Sequence, residues 1–181
     1  MLSDIAKITM GQSPSGESYN NTGNGTPFYQ GSTDFGSVFP MIRMYTTAPS
    51  RIADTMDTLL SVRAPVGTMN ISFEECCIGR GLAAIRGKNN NNIFVRYLLK
   101  RNQWYFDNIN NSGTTFGSIT KDYLYNMPVT IPDDISIRRF EDNAVLLEHQ
   151  IYNNEREIRT LSLLRNWLLP MLMNGQATIS D

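Results

Sequence analysis

Apolar residues near the end of the chain follow a spacing of three and four residues. They recur from Ile137 to Leu168, with polar residues at Asn154 and Arg165 that we expect to select register and partner. A repeat of 3.5 residues leaves a narrow apolar stripe on a helix, and that stripe needs a facing helix. The pattern therefore predicts a coiled coil. The predicted seam positions are Ile137, Phe140, Ala144, Leu147, Ile151, Asn154, Ile158, Leu161 and Leu168.

Polar residues and a proline set the expected limits of this helix. Asp134 and Ser136 can cap its N-terminus, and Pro170 should end or kink it close to Leu169. At about 1.5 Å per residue the helix would be about 50 Å long, so most of it should project from a small domain. The predicted division is a globular domain at 1–133, a spacer helix at 134–173 and a tail at 174–181.

Short strand-like segments alternate with glycine and proline in the front part of the chain. A loop-rich stretch at 11–36 surrounds a short apolar segment at 27–30. Bulky residues in helical spacing between 93 and 107 predict a helix packed on a sheet. The fold expected is therefore α+β, with a small curved β-sheet, packed helices and the long C-terminal helix. The predicted strands are 58–63, 68–73, 77–78 with 82–86, and 127–131.

The charges of this 181-residue chain are nearly balanced. It has 16 Lys and Arg against 17 Asp and Glu, a net charge of −1 at pH 7. Any surface for nucleic acid must therefore be a local patch. We expect the adjacent Cys76 and Cys77 to be reduced, because a bridge between neighbours would be strained and zinc would lack ligands. Without a signal peptide or a membrane-length apolar run, a cytoplasmic location is expected.

Motifs for common catalytic mechanisms are missing from the sequence. The string closest to an adenine methyltransferase loop, Asn-Met-Pro-Val at 126–129, lacks the second proline and the aromatic ring. There is no Gly-x-x-x-x-Gly-Lys-Ser/Thr string to bind a nucleotide phosphate. The lone histidine, His149, lies beside the predicted seam, which favours an interface or solvated role. We therefore predict a binding protein without catalytic residues, metal or cofactor.

Short strings in a fixed order carry a resemblance that covers nearly the full chain. The strings are GQSPSG at 11–16, PFYQG at 27–31, LLSVRAPVG at 59–67, CIGRGLAAI at 77–85, GSITK at 117–121, MPVTIP at 127–132 and LRNWLLP at 164–170. Each is weak alone, but their order and spacing are specific. The chain resembles a type I restriction-modification DNA specificity subunit.

The resemblance implies an assembly. Such subunits carry two target recognition domains and two helices that pair antiparallel, and this chain resembles one half. Two copies would form a homodimer through antiparallel helices and read a bipartite, palindromic DNA target. Modification subunits, which carry the adenine methyltransferase chemistry, would dock on the helix pair, and restriction subunits would join for cleavage. The apolar residues Leu164 and Trp167 fit a contact with the modification subunit or packing on the chain's own domain.

Polar and basic loop residues are the candidates for DNA contact, because such side chains read base edges and bind phosphates. For Arg63 and Arg80 the family-like strings are shared among proteins with different targets, which favours scaffold or phosphate roles. The predicted DNA-binding residues are Gln30, Ser32, Arg43, Tyr45, Lys88 with its neighbours at 89–92, Thr114, Thr115 and Lys121.

Two other functions remain open at this point. The chain could be a coiled-coil adaptor whose globular head binds protein or another ligand instead of DNA. It could also be a compact methyltransferase or nuclease, which the missing motifs disfavour. A salt-dependent interaction with DNA would distinguish the specificity subunit from the adaptor.

Overall fold

Five α-helices and nine short β-strands make up the part of the chain that the structure describes. The computed structural model describes residues 1–111 and 118–176. The helices are α1 (Leu2–Ile5), α2 (Asn92–Arg101), α3 (Gln103–Asn111), α4 (Lys121–Tyr125) and α5 (Asp134–Met173). The strands are β1 (Ala6–Met10), β2 (Tyr19–Asn20), β3 (Thr26–Tyr29), β4 (Tyr45–Thr46), β5 (Ile52–Ala53), β6 (Thr58–Ser61), β7 (Met69–Ile71), β8 (Cys76–Ile78) and β9 (Leu82–Gly87). Short 3-10 helices lie at Gly16–Ser18, Ser32–Asp34 and Lys88–Asn90.

The strands form two sheets. The four-stranded sheet has the order β1-β9-β6-β7 and is antiparallel, with Ala6 opposite Gly87. The five-stranded sheet has the order β2-β4-β3-β8-β5. In it β3 and β8 run parallel, with Phe28 opposite Cys77, while the other pairs are antiparallel. An α+β domain followed by a long helix was predicted, and the structure confirms it; two sheets replace the single sheet.

Both faces of the four-stranded sheet are covered. Leu60 and Ala83 belong to the apolar core beside the helices, whereas their neighbours Leu59 and Ala84 belong to the core beside the second sheet. Successive strand residues point to opposite faces, so a doubly covered sheet needs apolar residues at every position. The layers are therefore helices, four-stranded sheet and five-stranded sheet. The helix-side core includes Leu2, Val62, Ile85, Val95, Leu99, Phe106 and Leu124.

Cys76 belongs to the second core, and Cys77 is its neighbour in β8. Cys76 and Cys77 are both buried and form no disulfide. Burial raises the pKa of the Cys76 thiol, with nearby negative charge acting in the same direction. A thiol held neutral in this way is unreactive, because the thiolate is the nucleophile. The prediction of reduced, structural cysteines agrees with this environment.

Two sequence-based element assignments were wrong. The segment 127–131 forms no strand, because Pro128 and Pro132 cannot donate ladder hydrogen bonds; the Met127 carbonyl instead accepts from the Leu2 amide at 2.9 Å. The single helix predicted at 93–107 is two helices. Asn102 divides them, and its side-chain amide donates to the Leu98 carbonyl at 2.8 Å, which satisfies an acceptor at the end of α2.

The long helix α5 is one continuous element of 40 residues, about 60 Å in length. Asp133 caps it: its carboxylate accepts from the Ser136 amide at 2.9 Å and from the Ser136 hydroxyl at 2.7 Å. The observed cap is thus one residue before the predicted Asp134, and Ser136, the other predicted cap, is the donor to it. The helix also continues past Leu169, because Pro170 lies in its last turn and its carbonyl still accepts from the Asn174 amide at 3.0 Å.

The chain divides into two compact units, Met1–Glu141 and Asp142–Asp181. The first turns of α5 belong to the first unit. There Phe140 packs edge-on against Phe94 and Tyr97, and the Glu141 carboxylate accepts from the Phe94 amide at 2.7 Å. Across residues 1–111 and 118–176, no helix combines the length and apolar character needed to cross a membrane.

Gly67 allows the close approach of the 64–67 turn to α3. Its φ is +88°, and a Cβ added there would lie 2.3 Å from Cβ of the fully buried Phe106. We expect Gly67→Ala to lower the free energy of unfolding by about 1–3 kcal/mol, measured by urea denaturation. Gly16→Ala is the matched control, because a Cβ at Gly16 would meet no heavy atom within 4 Å. Equal stability of the two variants would contradict this packing.

Candidate nucleic-acid interface

Four strands of the five-stranded sheet end at a common edge. Since β3 and β8 are parallel, their C-terminal ends lie side by side. Because β4 is antiparallel to β3 and β5 is antiparallel to β8, the N-terminal ends of β4 and β5 reach the same edge. The loops that flank these strands therefore converge, although they lie far apart in sequence.

Polar and basic residues occupy those loops. Gln30 directly follows β3, Arg80 follows β8, Arg51 directly precedes β5, and Arg43 precedes β4. Backbone hydrogen bonds fix their positions. The Gly79 amide donates to the Tyr29 carbonyl at 2.8 Å, the Ile78 amide to the Arg51 carbonyl at 2.9 Å, and the Phe28 amide to the Met44 carbonyl at 2.8 Å.

Arg63 joins this edge from the four-stranded sheet. The amide of its neighbour Val62 donates to the Gly81 carbonyl at 2.9 Å, and Arg63 itself forms a β-bridge with Ser118. Gly81 is required for the close approach of the loops, because a Cβ there would lie 2.4 Å from the Gln30 carbonyl oxygen. We call Gln30, Arg43, Arg51, Arg63 and Arg80 the basic edge.

The arginines of the basic edge are free to bind a ligand. Arg43, Arg51, Arg63 and Arg80 are exposed, and none of their guanidinium groups forms an ion pair or hydrogen bond with a residue in the described ranges. Unpaired, exposed guanidinium groups are suited to phosphate oxygens, which they can bind in a bidentate manner. The edge thus provides a local positive patch on a chain of net charge −1.

Other arginines of the domain have structural roles. Arg86 Nε donates to Asp57 Oδ1 at 2.6 Å, and an Arg86 Nη atom lies 3.2 Å from Asp54. Arg96 is buried and donates to the Met56 carbonyl at 3.1 Å. Burial raises the pKa of Asp57, and the hydrogen bond from Arg86 opposes that rise. These contacts hold the sheets and α2 together.

Strings used for the family resemblance meet at this same edge. The Gln12 amide donates to the Ile78 carbonyl at 3.0 Å, and the Arg80 amide donates to Ser13 Oγ at 3.5 Å. The string at 11–16 therefore lies against the string at 77–85, which in turn touches the string at 27–31. Backbone contacts between these segments account for Gly11 and Gly81, where an added Cβ would lie 2.1 Å from the Gly79 carbonyl oxygen and 2.4 Å from the Gln30 carbonyl oxygen.

Two more of the predicted DNA-binding residues, Ser32 and Tyr45, lie beside β3. Ser32 is half-buried in the 3-10 helix, and the buried Asp34 accepts from the Gln30 amide at 2.7 Å. Tyr45 is half-buried in β4 opposite Pro27. The Met41 amide also donates to the Asp34 carbonyl at 2.8 Å, which links the two loops. The fold therefore brings together four of the residues predicted from sequence: Gln30, Ser32, Arg43 and Tyr45.

The remaining predicted DNA-binding residues are more scattered. Lys88 follows the far end of the six-residue β9, about 20 Å from the Arg80 end, and its Nζ donates to the Ser3 carbonyl at 2.8 Å. Lys121 begins α4, and its Nζ lies 4.9 Å from the centre of the Tyr125 ring. Thr114 and Thr115 lie outside the described residues. Near α4, burial and a hydrogen bond with Tyr123 raise the pKa of Tyr105 to about 12.

Most predicted seam residues of α5 are exposed in the single chain. Leu147, Ile158 and Leu161 each expose more than half of their surface. Ile137 differs, because it is only 4% exposed and is buried within the first unit. The other seam positions are Phe140, Ile151, Asn154 and Leu168, which are exposed, and Ala144, which is half-buried. The predicted partner contacts, Leu164 and Trp167, are also exposed.

Sequence reasoning missed Arg51. It stands in a Pro-Ser-Arg loop without a motif, and only the pairing of β5 with β8 brings it to the basic edge. Among the described residues, no group of three or more His, Cys, Asp or Glu side chains is placed to hold a metal ion.

Comparison with known proteins decides the family. Residues 1–138 match the sequence model of the type I restriction modification DNA specificity domain. The chain belongs to this family. Membership confirms the predicted resemblance, and it agrees with the prediction that this chain is a specificity component and not an enzyme.

Individual members of the specificity family support the assignment. The chain is 33% identical over 175 residues to a protein described as the putative type I restriction enzyme MjaX specificity subunit of Methanocaldococcus jannaschii, covering 96% of this chain and 41% of that protein. It is 36% identical to the HsdS subunit of Thermoanaerobacter tengcongensis, with a TM-score of 0.69 over 86% of this chain and 38% of that one. The chain therefore spans about two fifths of the length of these relatives.

Two further solved structures share the fold. One comes from work on complex assembly and conformational transition of the type I restriction-modification system; it is 36% identical, with a TM-score of 0.68 over 92% of this chain and 42% of that one. The other is the type I restriction-modification S subunit of M. genitalium, with a TM-score of 0.67 over 94% of this chain and 44% of that one. At 14% identity the second of these shows the fold alone.

The division of arginines into structural and free predicts effects of different size on stability. Arg86→Gln should lower the free energy of unfolding by about 1–2 kcal/mol, because it leaves Asp57 buried without its charged donor. Arg80→Gln, the matched control, should change it by less than about 0.5 kcal/mol. Urea denaturation measures both. A larger destabilisation by Arg80→Gln would contradict the division.

The effect of Arg86→Gln should also depend on pH. A buried carboxyl with a raised pKa destabilises the fold only when it is ionised. The free energy of unfolding is therefore unaffected by Asp57 below the unfolded pKa of about 3.9, and it declines as pH rises above that value. Removal of Arg86 takes away the largest contribution that opposes this penalty. The destabilisation should therefore be larger at about pH 7 than at about pH 4, and the reverse order would show that Asp57 is not the affected group.

Proposed function

We propose that this chain is the DNA sequence-recognition subunit of a type I restriction-modification complex and that its basic edge faces duplex DNA. The observation that carries the proposal is the convergence of Gln30 and four exposed arginines from loops of two sheets; these arginines form no ion pair within residues 1–111 and 118–176. The family and its relatives supply the class of function. In this proposal residues 1–133 form the target recognition domain, 134–173 the spacer helix and 174–181 a tail.

The arginines and the polar residues have different roles in this proposal. Arg51, Arg63 and Arg80 neutralise phosphates, which positions the domain on the duplex without reading sequence. Gln30, with Ser32 and Tyr45, reads base edges, since a glutamine side chain can form a bidentate pair with adenine in the major groove. Arg43 lies beside these residues and can reach guanine or phosphate. Lys88, Thr114, Thr115 and Lys121 are proposed as outer contacts.

Pairing of two copies through α5 supplies the second recognition domain. The exposed seam residues of α5 need a facing helix, and a twofold arrangement needs only one self-complementary surface. In an antiparallel pair aligned on this seam, Leu147 of one copy faces Ile158 of the other, and Ala144 faces Leu161. The twofold axis then passes close to the midpoint of α5. This alignment defines the proposed homodimer.

The homodimer would read a bipartite target. Two identical recognition domains related by a twofold axis contact identical half-sites in inverted orientation, so the target is palindromic. The rigid helix pair sets the distance between the half-sites. The DNA, and therefore the complex, would lie in the cytoplasm.

Modification and restriction subunits are the proposed protein partners. The non-catalytic chain would direct a methyltransferase subunit to its target, and a restriction subunit would join for cleavage. Leu164 and Trp167 are exposed and lie off the seam, so they remain available for the modification subunit when the helices pair. A relative with 36% identity comes from a study of type I complex assembly, which supports this role.

Removal of two arginines from the basic edge should reduce the salt dependence of DNA binding. Each phosphate that the protein no longer neutralises changes the slope of log K against log salt by about 0.9, so Arg51→Gln with Arg80→Gln should lower the slope by about 2. The measurement is a salt titration on non-specific duplex DNA with the modification subunit present. Arg156→Gln, an exposed arginine on the outer side of α5, should leave the slope unchanged.

The same titration separates the candidate functions. Slopes that are equal for the double variant, the control and the unmodified chain would place the DNA contacts elsewhere. A complete lack of salt-dependent binding, with or without the modification subunit, would favour the adaptor that binds protein instead of DNA.

A further inference from the structure

An open cavity lies in the first unit between α2, the segment 130–132 and the first turns of α5. Its volume is about 710 Å³, within the range of about 300–1,000 Å³ that binding pockets occupy. Its walls are mostly apolar and aromatic. The apolar residues that line it are Phe94, Tyr97, Leu98, Pro132, Ile137 and Phe140.

The lining of the cavity favours a protein segment over a small polar ligand. Within the described part of the chain, Arg101 is the only charged side chain on its walls, and no carboxylate or imidazole lines them. Tyr97 and Phe140 expose 42% and 39% of their surface although both are large rings. Exposed aromatic walls of this kind are typical of sites that receive apolar side chains from another protein.

The helix seam leads directly into the cavity. Ile137 and Phe140 occupy the first two seam positions of α5 and also form one wall of the cavity. The cavity is therefore continuous with the surface on which the second helix is proposed to lie. A helix that lies along the seam would therefore reach the cavity without bending.

The proposed antiparallel alignment identifies the part of the second helix that arrives there. With Leu147 facing Ile158, Ile137 of one copy faces Leu168 of the other. The next side chains on the same side of the second helix are Met171 and Leu172, which complete an apolar helix end. Trp167 points away from the seam and remains outside the cavity.

Charge supports the same occupant. The aligned peptide dipoles of a helix place about half a negative charge at its C-terminal end, which a nearby cation stabilises. Arg101 is exposed at the cavity and forms no ion pair or hydrogen bond through its side chain with any residue in 1–111 or 118–176. The guanidinium group is thus available for the C-terminal end of a helix.

We propose that the cavity is the socket for the C-terminal end of α5 from a second copy of this chain, filled by Leu168, Met171 and Leu172. This inference rests on the proposed antiparallel homodimer and adds the surface that closes each end of it. Each copy provides one socket and one helix end, so the dimer contains two such contacts. The spacing of the two domains is then fixed at the ends of the helix pair as well as along the seam.

A cysteine pair tests the socket directly. Ser136 lines the cavity, and Met171 flanks the incoming helix on the same side, so Ser136→Cys with Met171→Cys in one chain should form disulfides between copies. A bridge within one chain is impossible, because the two positions are 35 residues apart on α5, about 52 Å. The native Cys76 and Cys77 are buried and do not compete. The expected product on a non-reducing gel is a covalent dimer.

The matched control keeps the first cysteine and moves the second. Asn166→Cys with Ser136→Cys places the second thiol on the outer side of the same helix end, so it should leave the chain monomeric on the gel. Covalent dimer from Met171→Cys but not from Asn166→Cys supports the socket. Equal bridging by both pairs, or by neither pair under conditions in which sedimentation shows a dimer, would overturn it.

Two variants measure the energetic role of the socket without relying on cysteines. Met171→Asp lies at the helix end, outside the folded domain, and should raise the dimer Kd at least about tenfold, a factor that corresponds to about 1.4 kcal/mol. Arg101→Glu should raise it about twofold to fivefold, and Arg101→Lys should restore binding. Dimers unaffected by Met171→Asp would overturn the socket but leave the proposed function standing. A chain that never dimerises, even with DNA and the modification subunit, would overturn both.

Discussion

A row of leucine and isoleucine side chains lies exposed along α5, and the function proposed for the chain depends on what covers it. Leu147, Ile158 and Leu161 are all more than half exposed in the single chain. Burying one such side chain stabilises by about 1.5–3 kcal/mol, whereas association of two proteins costs about 4–15 kcal/mol. Several seam residues from both copies must therefore be covered together. A long antiparallel contact meets that condition, whereas a local contact does not.

The recognition domain is organised so that its free charges lie at one edge. The helices and the five-stranded sheet cover the two faces of the four-stranded sheet, so the central strands bury apolar residues on both sides. The half-buried Arg86 and the buried Arg96 are bound to partners of the same domain. Charged residues in the loops at the strand ends are solvated and need no partner within the domain. There the arginines have no ionic partner among the residues that the structure describes, which gives a nearly neutral protein a concentrated positive surface.

Much of this arrangement could be predicted from local patterns, and the rest depended on contacts between distant segments. The 3.5-residue repeat predicted α5, because the period of a helix is a local property. Four candidate DNA residues, Gln30, Ser32, Arg43 and Tyr45, could be proposed from sequence because polar loop residues are recognisable there. Arg51 was missed, since its position depends on the pairing of β5 with β8, about 25 residues away.

The errors have equally specific causes. A seam position and a core position look alike in sequence, and Ile137, which was predicted for the seam, is buried within the first unit of the single chain. Segment 127–131 has strand-like residues, but two prolines remove the donors that a ladder requires. Helix α2 ends at Asn102, where hydrogen bonds from the backbone and side-chain amides reach the last turn, and no hydrophobic pattern reports such contacts.

Charge complementation between two variants is the most direct test of antiparallel pairing through α5. Leu147→Glu and Ile158→Lys should each be monomeric in sedimentation equilibrium, whereas an equimolar mixture should form heterodimers, because Glu at 147 then faces Lys at 158 and the second pair is native. The exposed, off-seam Leu163→Glu should dimerise like the unmodified chain. A mixture that stays monomeric while Leu163→Glu dimerises, as parallel pairing of like positions would produce, would contradict the account.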